Sequence, residues 1–415
     1  MNYMNMEKLG KYCKIISGYA FKSNDLSEGT EIPVIKIGNI SNGNDVIIDS
    51  STQYVSSDFL SIDEKYHIKK GDVLISLTGS HINQPNSMVG RSCRNFSDTE
   101  FLLNQRAGKV IPNENADKNY LYYLLNTESF KYSICNRAYG AANQANVSPS
   151  DIENIKWNFP PLPTQQKIAS ILSAYDKLIQ NYKKQIEALQ TAASELYKEW
   201  FVRFRFPGWQ NAKFENGIPE GWKVERIGTL YDSTSGGTPS REHEEYFQNG
   251  TYPWIKTGEL KDCPIIETEE SITDEAIKHS SAKLFEKDSL IIAMYGATIG
   301  QLGINKMKAT CNQACCVLRP KKDKAFGIYY LFHFFKENRE FIIGLGNGAA
   351  QQNLSQVLIN KLKIVNPNKE ILEIFEEKES MFFEKIYHLQ QQITNLTQQR
   401  DLLLPRLMSG KLEVK

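Results

Sequence analysis

The sequence predicts an α+β chain in which two β-rich domains are each followed by a long helix, the helices pairing as an antiparallel coiled coil with pseudo-twofold symmetry. Two observations carry that expectation. The first is a helical seam that occurs twice. It runs Ile168, Leu172, Tyr175, Ile179, Tyr182, Ile186, Leu189, Ala193, Leu196, Trp200, and 207 positions later returns as Phe375, Glu379, Phe382, Ile386, Leu389, Ile393, Leu396, Arg400, Leu403, Leu407. Alternating steps of four and three keep one stripe of a helix against a partner.

The second observation is that the segments before each helix repeat in the same order. Ile32-Pro33-Val34-Ile35-Lys36-Ile37-Gly38-Asn39-Ile40 returns as Tyr252-Pro253-Trp254-Ile255-Lys256-Thr257-Gly258-Glu259-Leu260. Val73-Leu74-Ile75-Ser76 with Gly79 returns as Leu290-Ile291-Ile292-Ala293 with Gly296, and Asn104-Gln105 as Asn312-Gln313. Leu121-Tyr122-Tyr123-Leu124 matches Ile328-Tyr329-Tyr330-Leu331, and Gly140-Ala141-Ala142-Asn143-Gln144 matches Gly348-Ala349-Ala350-Gln351-Gln352. The offset drifts from 220 to 207 while the order holds, as loop insertions in an internal duplication would produce.

Taken in order, residues 1–163 read as a first domain of short strands broken by Gly, Asn, Ser and Pro, with strand candidates Val34–Ile40, Val46–Ile48 and Val73–Leu77. Residues Tyr120–Ile134 read as helical. Pro160, Pro161 and Pro163 stop strand pairing and launch a central helix over 164–206, with Thr164 as its N-cap, until Pro207-Gly208 breaks it. A linker over 207–221 leads to a second β-rich domain over 222–367, and Pro367-Asn368 opens a final helix over 368–415 that yields near Pro405 and Gly410. At about 1.5 Å per residue, the seam from Ile168 to Trp200 spans roughly 50 Å. A helix of that length outruns a single domain, so its natural partner is the matching helix of the other half; homodimerisation through the helices is the alternative. Glu379 and Arg400 interrupt the second seam, so parts of that helix are expected to face solvent or a partner.

At 415 residues the chain has room for two domains, each with its own core. A net charge of +1 supplies no global basic field, so any nucleic-acid contact must come from local patches. The seven cysteines show no zinc-ligand spacing and are read as free thiols in a reducing compartment. Met1–Gly10 has no apolar signal core and no run reaches membrane-span length, so a cytoplasmic protein with no membrane partner is expected.

Catalytic signatures are missing. There is no G-x-x-x-x-G-K-[ST] phosphate loop. Asn158-Phe159-Pro160-Pro161 has the wrong order for an amino-methyltransferase motif, and no glycine-rich strand-to-helix loop accompanies it. The six histidines form no local pair, and no metal site is expected on this chain. What remains is three polar, glycine-punctuated loops at matching places: Ser17–Ser23 against Ser235–Arg241, Thr78–Gln84 against Tyr295–Gly300, and Arg137–Asn146 against Gly346–Asn353. Amides, hydroxyls and guanidinium groups suit base edges and phosphates, and glycine lets a backbone approach closely. Candidate DNA contacts are Lys22, Ser23, Lys36, Asn39, Ser80, His81, Asn83, Gln84, Arg91, Arg106, Arg137, Asn143 and Gln144 in the first half. In the second they are Thr238, Ser240, Arg241, Lys256, Thr257, Tyr295, Thr298, Gln351 and Gln352. Lys36 and Lys256, at matching strand ends, are favoured for phosphate. The plain alternative for each loop is a turn or a helix cap.

Gly217-Ile218-Pro219-Glu220-Gly221-Trp222, Ser235-Gly236-Gly237-Thr238-Pro239-Ser240, Tyr252–Leu260 and Ala297-Thr298-Ile299-Gly300 resemble a target recognition domain. With the helix entry Pro161–Ala169 and the exit Leu404–Leu412, the whole chain resembles the DNA-specificity subunit of type I restriction–modification systems. That resemblance implies two target recognition domains, each reading one half of a split site on double-stranded DNA. It implies that the helices act as a ruler and as the docking surface for two methyltransferase subunits, joined by restriction/motor subunits. S-adenosylmethionine, ATP and Mg would be held by those partners, with no cofactor and no catalytic residue on this chain. Ser-Gly-Tyr-Ala in the first domain against Ser-Gly-Gly-Thr-Pro in the second fits two domains reading different sequences. Two rivals stay open: a coiled-coil adaptor that binds proteins only, and a self-contained methyltransferase or nuclease.

If the helices are a ruler, a four-residue insertion near Gln190 is expected to change the gap in the recognised site and leave both halves unchanged. Methylation mapping of an active insertion variant checks this, and an unchanged gap contradicts it.

Overall fold

A computed structural model describes residues 6–29, 31–81, 84, 88–141, 144–321, 327–346 and 353–414. They divide into two compact units. The first runs to Leu178 and resumes at Leu396; the second spans Ile179–Asn395.

In the first unit, Val73–Ser76 is buried at every position, as a continuous apolar run implies for a strand covered on both faces. It lies inside a four-stranded antiparallel sheet ordered Cys13–Ser17, Ala107–Pro112, Val73–Ser76, Ser92–Arg94. A second four-stranded sheet is ordered Gln53–Val55, Ile32–Ile35, Phe101–Leu103, His67–Ile68, with its two middle strands parallel. Met6–Lys8 pairs with Lys156–Asn158, so the chain enters and leaves the domain side by side. The second unit repeats this plan. Tyr231–Ser235, Cys315–Pro320, Leu290–Ala293 and Leu302–Asn305 form the matching sheet, Cys263–Ile265 adding a fifth strand. Ser271–Ile272, Tyr252–Ile255 and Thr310–Cys311 form the second sheet, and Lys223–Arg226 pairs with Lys363–Asn366.

Several sequence expectations are corrected in detail. The strand is Ile32–Ile35, so only Val34 and Ile35 of the first strand candidate lie in it; Ile37–Asn39 is a 3-10 turn. Val46–Ile48 forms no strand, Val46 making a single bridge to Ile40 while the Asn39 amide takes the Ile47 carbonyl. The helical stretch is two helices, Lys118–Leu125 and Glu128–Cys135, because the Thr127 side chain caps the second. The 207–221 linker contains a 3-10 turn at Trp209–Asn211 and a hairpin between Phe214–Glu215 and Ile218–Pro219. Asn216 and Gly217, at φ 52° and 83°, supply the left-handed turn that such a hairpin requires.

The central helix is Leu162–Tyr197, beginning before Thr164. Pro163 sits in its first turn, where a missing N–H costs nothing, and Thr164 and Gln165 donate their N–H groups to the Pro161 carbonyl. A π-helical turn, Lys198–Val202, follows and buries the consecutive Trp200 and Phe201 side chains before Phe204 turns left-handed at φ 55°. The second long helix is Lys369–Met408; it carries Pro405 in its last turn and is closed by Gly410 at φ 70°.

Seam residues anchor both units, and their pairing is antiparallel in each. In the first unit, Ile168 and Leu172 share a core with Leu407 and with Tyr120–Leu125, and Leu403 packs on its edge. In the second, Tyr197, Trp200 and Phe201 surround Phe375, and Ile179, Ile386 and Leu389 are buried. Tyr182, Ile186, Leu189, Leu196, Ile393 and Leu396 are half-buried. The phase is shifted at one place in each helix. Tyr175 and Phe382 are only half-buried, and the next residues, Asp176 and Phe383, point inward. Positions three and four residues along both border a helical stripe, and polarity at Asp176 disguised the inward one.

Asp176 is at home there because its carboxylate accepts from Arg94 at 2.9 Å, Tyr123 at 2.5 Å and Arg400 at 2.7 Å. Arg400, half-buried, therefore closes a largely buried ion cluster with the first helix. Glu379 is also inside, fully buried and 2.9 Å from His333 Nε2. Burial pushes the Glu379 carboxyl up to about 8 and His333 down to about 3, so near neutrality a protonated carboxyl donates to a neutral imidazole. Glu379 thus contributes stability in full below its ordinary 4.5 and loses it as pH rises through about 8. His333 has the opposite sense, its contribution being lost as pH falls from 6.5 through about 3. Glu379→Gln keeps the hydrogen bond without the titration. It is expected to be more stable than the parent at pH 8.5, on the order of 1–3 kcal/mol, with most of that gain gone at pH 5, as read by denaturant unfolding at both pH values.

Candidate nucleic-acid interface

In the first unit's main sheet, Cys13–Ser17 and Val73–Ser76 finish at the same end at which Ser92–Arg94 and Ala107–Pro112 begin. The first two sequence-marked loops start from that end, the third follows the helix Glu128–Cys135 and joins them by strand pairing, and backbone hydrogen bonds tie them together. Gly18 N–H donates to the Ala107 carbonyl at 3.0 Å and Tyr19 N–H to Leu103 at 2.7 Å. Asn104 N–H donates to Ile35 at 3.0 Å, bringing in Lys36. Leu77 N–H donates to Arg106, and Val147 N–H to Leu77, each at 3.0 Å. The Tyr139–Ala141/Gln144–Asn146 hairpin adds itself to Thr78–Gly79, where Thr78 Oγ1 donates to the Asn146 side chain at 2.8 Å.

The second unit has the same five bonds. Gly236 donates to Cys315 at 3.1 Å, Gly237 to Cys311 at 2.9 Å, Asn312 to Ile255 at 2.9 Å, Met294 to Ala314 at 2.8 Å and Leu354 to Met294 at 2.7 Å. In both units the first loop lies so close to the central turn, Leu103–Ala107 or Cys311–Cys315, that a side chain would not fit. A Cβ on Gly18 would stand 2.3 Å from the Leu103 carbonyl oxygen, and one on Gly236 2.2 Å from that of Asn312.

Side chains on this scaffold differ in availability. Lys22 and Ser23 are exposed at a 3-10 turn, Arg106 is exposed in the central turn, and Gln84 and Gln144 are exposed. His81 is half-buried. Arg91 is half-buried with one terminal nitrogen on the Ile37 carbonyl at 3.0 Å, and Arg137 donates to the Asn154 carbonyl at 3.4 Å. Thr238, Ser240, Arg241 and Tyr295 are exposed, Thr257 and Thr298 half-buried. Asn83, Asn143, Gln351 and Gln352 lie outside the described residues.

Two candidates are committed to the fold instead. Asn39 is buried; its side chain accepts from Lys36 N–H and donates to Ile47 and Thr52, and Glu259 makes the matching cap on Lys256 N–H. Ser80 is buried and donates to the Gln84 carbonyl at 2.9 Å. The two favoured lysines also have partners. Lys36 Nζ is bonded to Gln53, and burial holds its ammonium below the usual lysine range. Lys256 Nζ is paired with Glu269 at 2.7 Å and Glu270 at 3.0 Å, which hold it above that range. These pairings oppose the simple expectation of open phosphate-gripping cations.

Gln105 and Gln313, exposed in the central turn of each unit, occupy the same end. The repeated Asn-Gln pair was visible in the sequence, but only the fold shows that its second residue faces out among the loops. Substituting Gly236 by Ala forces backbone apart and is expected to cost about 1–3 kcal/mol, lowering the melting temperature of the whole chain. An unchanged melting temperature contradicts this packing.

Comparison with known proteins follows the same twofold division. The family model for the type I restriction modification DNA specificity domain matches residues 2–191 and again 219–400. The chain is 30% identical to the MjaIX type I restriction enzyme specificity subunit of Methanocaldococcus jannaschii, over 76% of this chain and 74% of that protein. It is 24% identical to the HindI specificity subunit of Haemophilus influenzae, over 84% and 88% of the two chains. The type I restriction–modification S subunit of M. genitalium has a similar fold, with a TM-score of 0.60 at 16% identity over 98% of this chain and 97% of that one.

Proposed function

The chain belongs to the family of type I restriction–modification DNA specificity proteins, and we propose that each of its two units reads one part of a two-part site on double-stranded DNA. The observation that supports this most is repeated: five matching backbone hydrogen bonds tie together, in each unit, the strand ends and turns from which the polar loops leave, while the loop sequences differ. A fixed backbone with interchangeable side chains suits base reading, which demands placement more than charge.

In this reading the helices, 36 and 40 residues long, set the gap between the two parts and offer the surface on which two methyltransferase subunits dock. Restriction/motor subunits complete the assembly. This chain performs no chemistry; S-adenosylmethionine, ATP and Mg serve the partners. The missing phosphate loop supports that division of labour. Among the described residues no helix is long and apolar enough to cross a membrane, in keeping with a cytoplasmic assembly.

The paired cations of the second unit favour one rival, a protein-binding adaptor without DNA readout. Salt-sensitive binding of the assembled complex to duplex DNA would contradict that rival. The direct test is adenine methylation mapped across the host genome with and without this gene. Disappearance of a two-part motif with a fixed gap is the expected result, and an unaltered methylome contradicts the proposal.

A further inference from the structure

The two units give one position of the reading end two different side chains. Pro33 pairs with Tyr54 and Pro253 with Ser271, so Gln53 and Glu270 stand at the same register position one residue earlier. The matching lysine touches it in each: Lys36 on Gln53, Lys256 on Glu270. The second unit adds a third member. Five residues after the loop glycine it carries Arg241, where the first unit has Ser23.

Arg241 is held on two sides. Its terminal nitrogens lie 2.7 and 3.1 Å from the two oxygens of Glu270. Its guanidinium centre sits 4.1 Å from the Phe247 ring centroid and 5.4 Å from that of Trp254. Trp254 is itself fixed, its indole N–H donating to the Gly237 carbonyl at 3.1 Å within the same loop. Yet the Arg241 side chain remains 58% exposed. A phosphate contact would gain little from this arrangement. Arg241 and Lys256 carry two positive charges against the three negative ones of Glu259, Glu269 and Glu270, so the cluster offers a polyanion no net attraction. Neutralisation leaves the directional donors intact, however. With the end of the fork on Glu270, the edge formed by Nε and the adjacent terminal nitrogen still presents two parallel N–H groups. That pair matches the O6 and N7 acceptors of guanine in the major groove.

Resting on the proposed DNA-reading role, we propose that Arg241 is a guanine-reading residue of the second unit, and that Glu270 is its positioning residue. The first unit, with Gln53 and Ser23 in the matching places, makes no such contact, so the two half-sites differ at this point.

The test is the methylated motif and duplex affinity of the complex assembled with its partner subunits, for the parent chain and for Arg241→Ala, Arg241→Lys and Glu270→Gln. Arg241→Ala and Arg241→Lys are both expected to relax one G·C position in one half-site, losing roughly ten- to hundredfold discrimination, with the other half and the gap unchanged. Glu270→Gln is expected to relax the same position less. Arg241→Lys keeps the charge, so its salt dependence should match the parent. Uniform weakening on all duplexes, with a shallower salt slope for Arg241→Ala and parental behaviour for Arg241→Lys, would make Arg241 a phosphate contact and overturn the inference. An unaltered motif in all three variants overturns it as well. A parent complex that marks no two-part motif would instead overturn the DNA-reading role itself.

Discussion

One short turn in each unit, Leu103–Ala107 and Cys311–Cys315, is the junction on which the reading end depends. Its backbone binds the first loop directly, borders the strand end that carries the lysine, and accepts from Leu77 or Met294 just before the second loop, a residue that in turn accepts from Val147 or Leu354 just after the third. Each such bond contributes only about 0.5–1.5 kcal/mol net, but a buried backbone group left without its partner costs more. The loops are therefore pinned through groups that every residue possesses. Side chains can change without moving the frame, which is how Gly18-Tyr19 in one unit and Gly236-Gly237 in the other occupy equivalent places.

Helix docking shows the same principle with different chemistry. The matched inward positions are Asp176 and Phe383. The first unit surrounds its carboxylate with Arg94, Tyr123 and Arg400, whereas the second packs Phe383 on Tyr329 and Phe332. Elsewhere the second unit places the uncharged Glu379–His333 pair where the first has Leu172. An apolar contact is simpler to stabilise than a buried ion cluster, which must satisfy every charge it hides. The two copies have thus drifted apart inside their cores as well as on their loops, while the strand pairs that open and close each domain are kept.

The duplication, the order of elements and the loops that converge were all legible in the sequence, because repeated glycines, strand runs and heptads report backbone geometry directly. Side-chain commitment was not. Nothing local distinguishes Asn39, a buried cap, from an exposed reader, and nothing announces that Asp176 turns inward while Tyr175 stays half-buried. Lys256 looked like an open cation because Glu269 and Glu270 lie a strand away. Gln105 and Gln313 were visible as a repeat but acquired a place only when the sheet ends were known. Long-range pairings of this kind leave no trace in spacing.

One reader occurs twice, each copy complete between its paired entry and exit strands. Leu9 N–H donates to Ile155, and Ile227 N–H to Leu362, both at 2.9 Å, so the two domains are closed at equivalent points. The most direct measurement is the methylated motif of a complex in which residues 227–362 replace residues 9–155. A motif carrying the second unit's base sequence in both halves at an unchanged gap is the expected result. A complex that assembles and methylates, yet still marks the parental two-part motif, would contradict it.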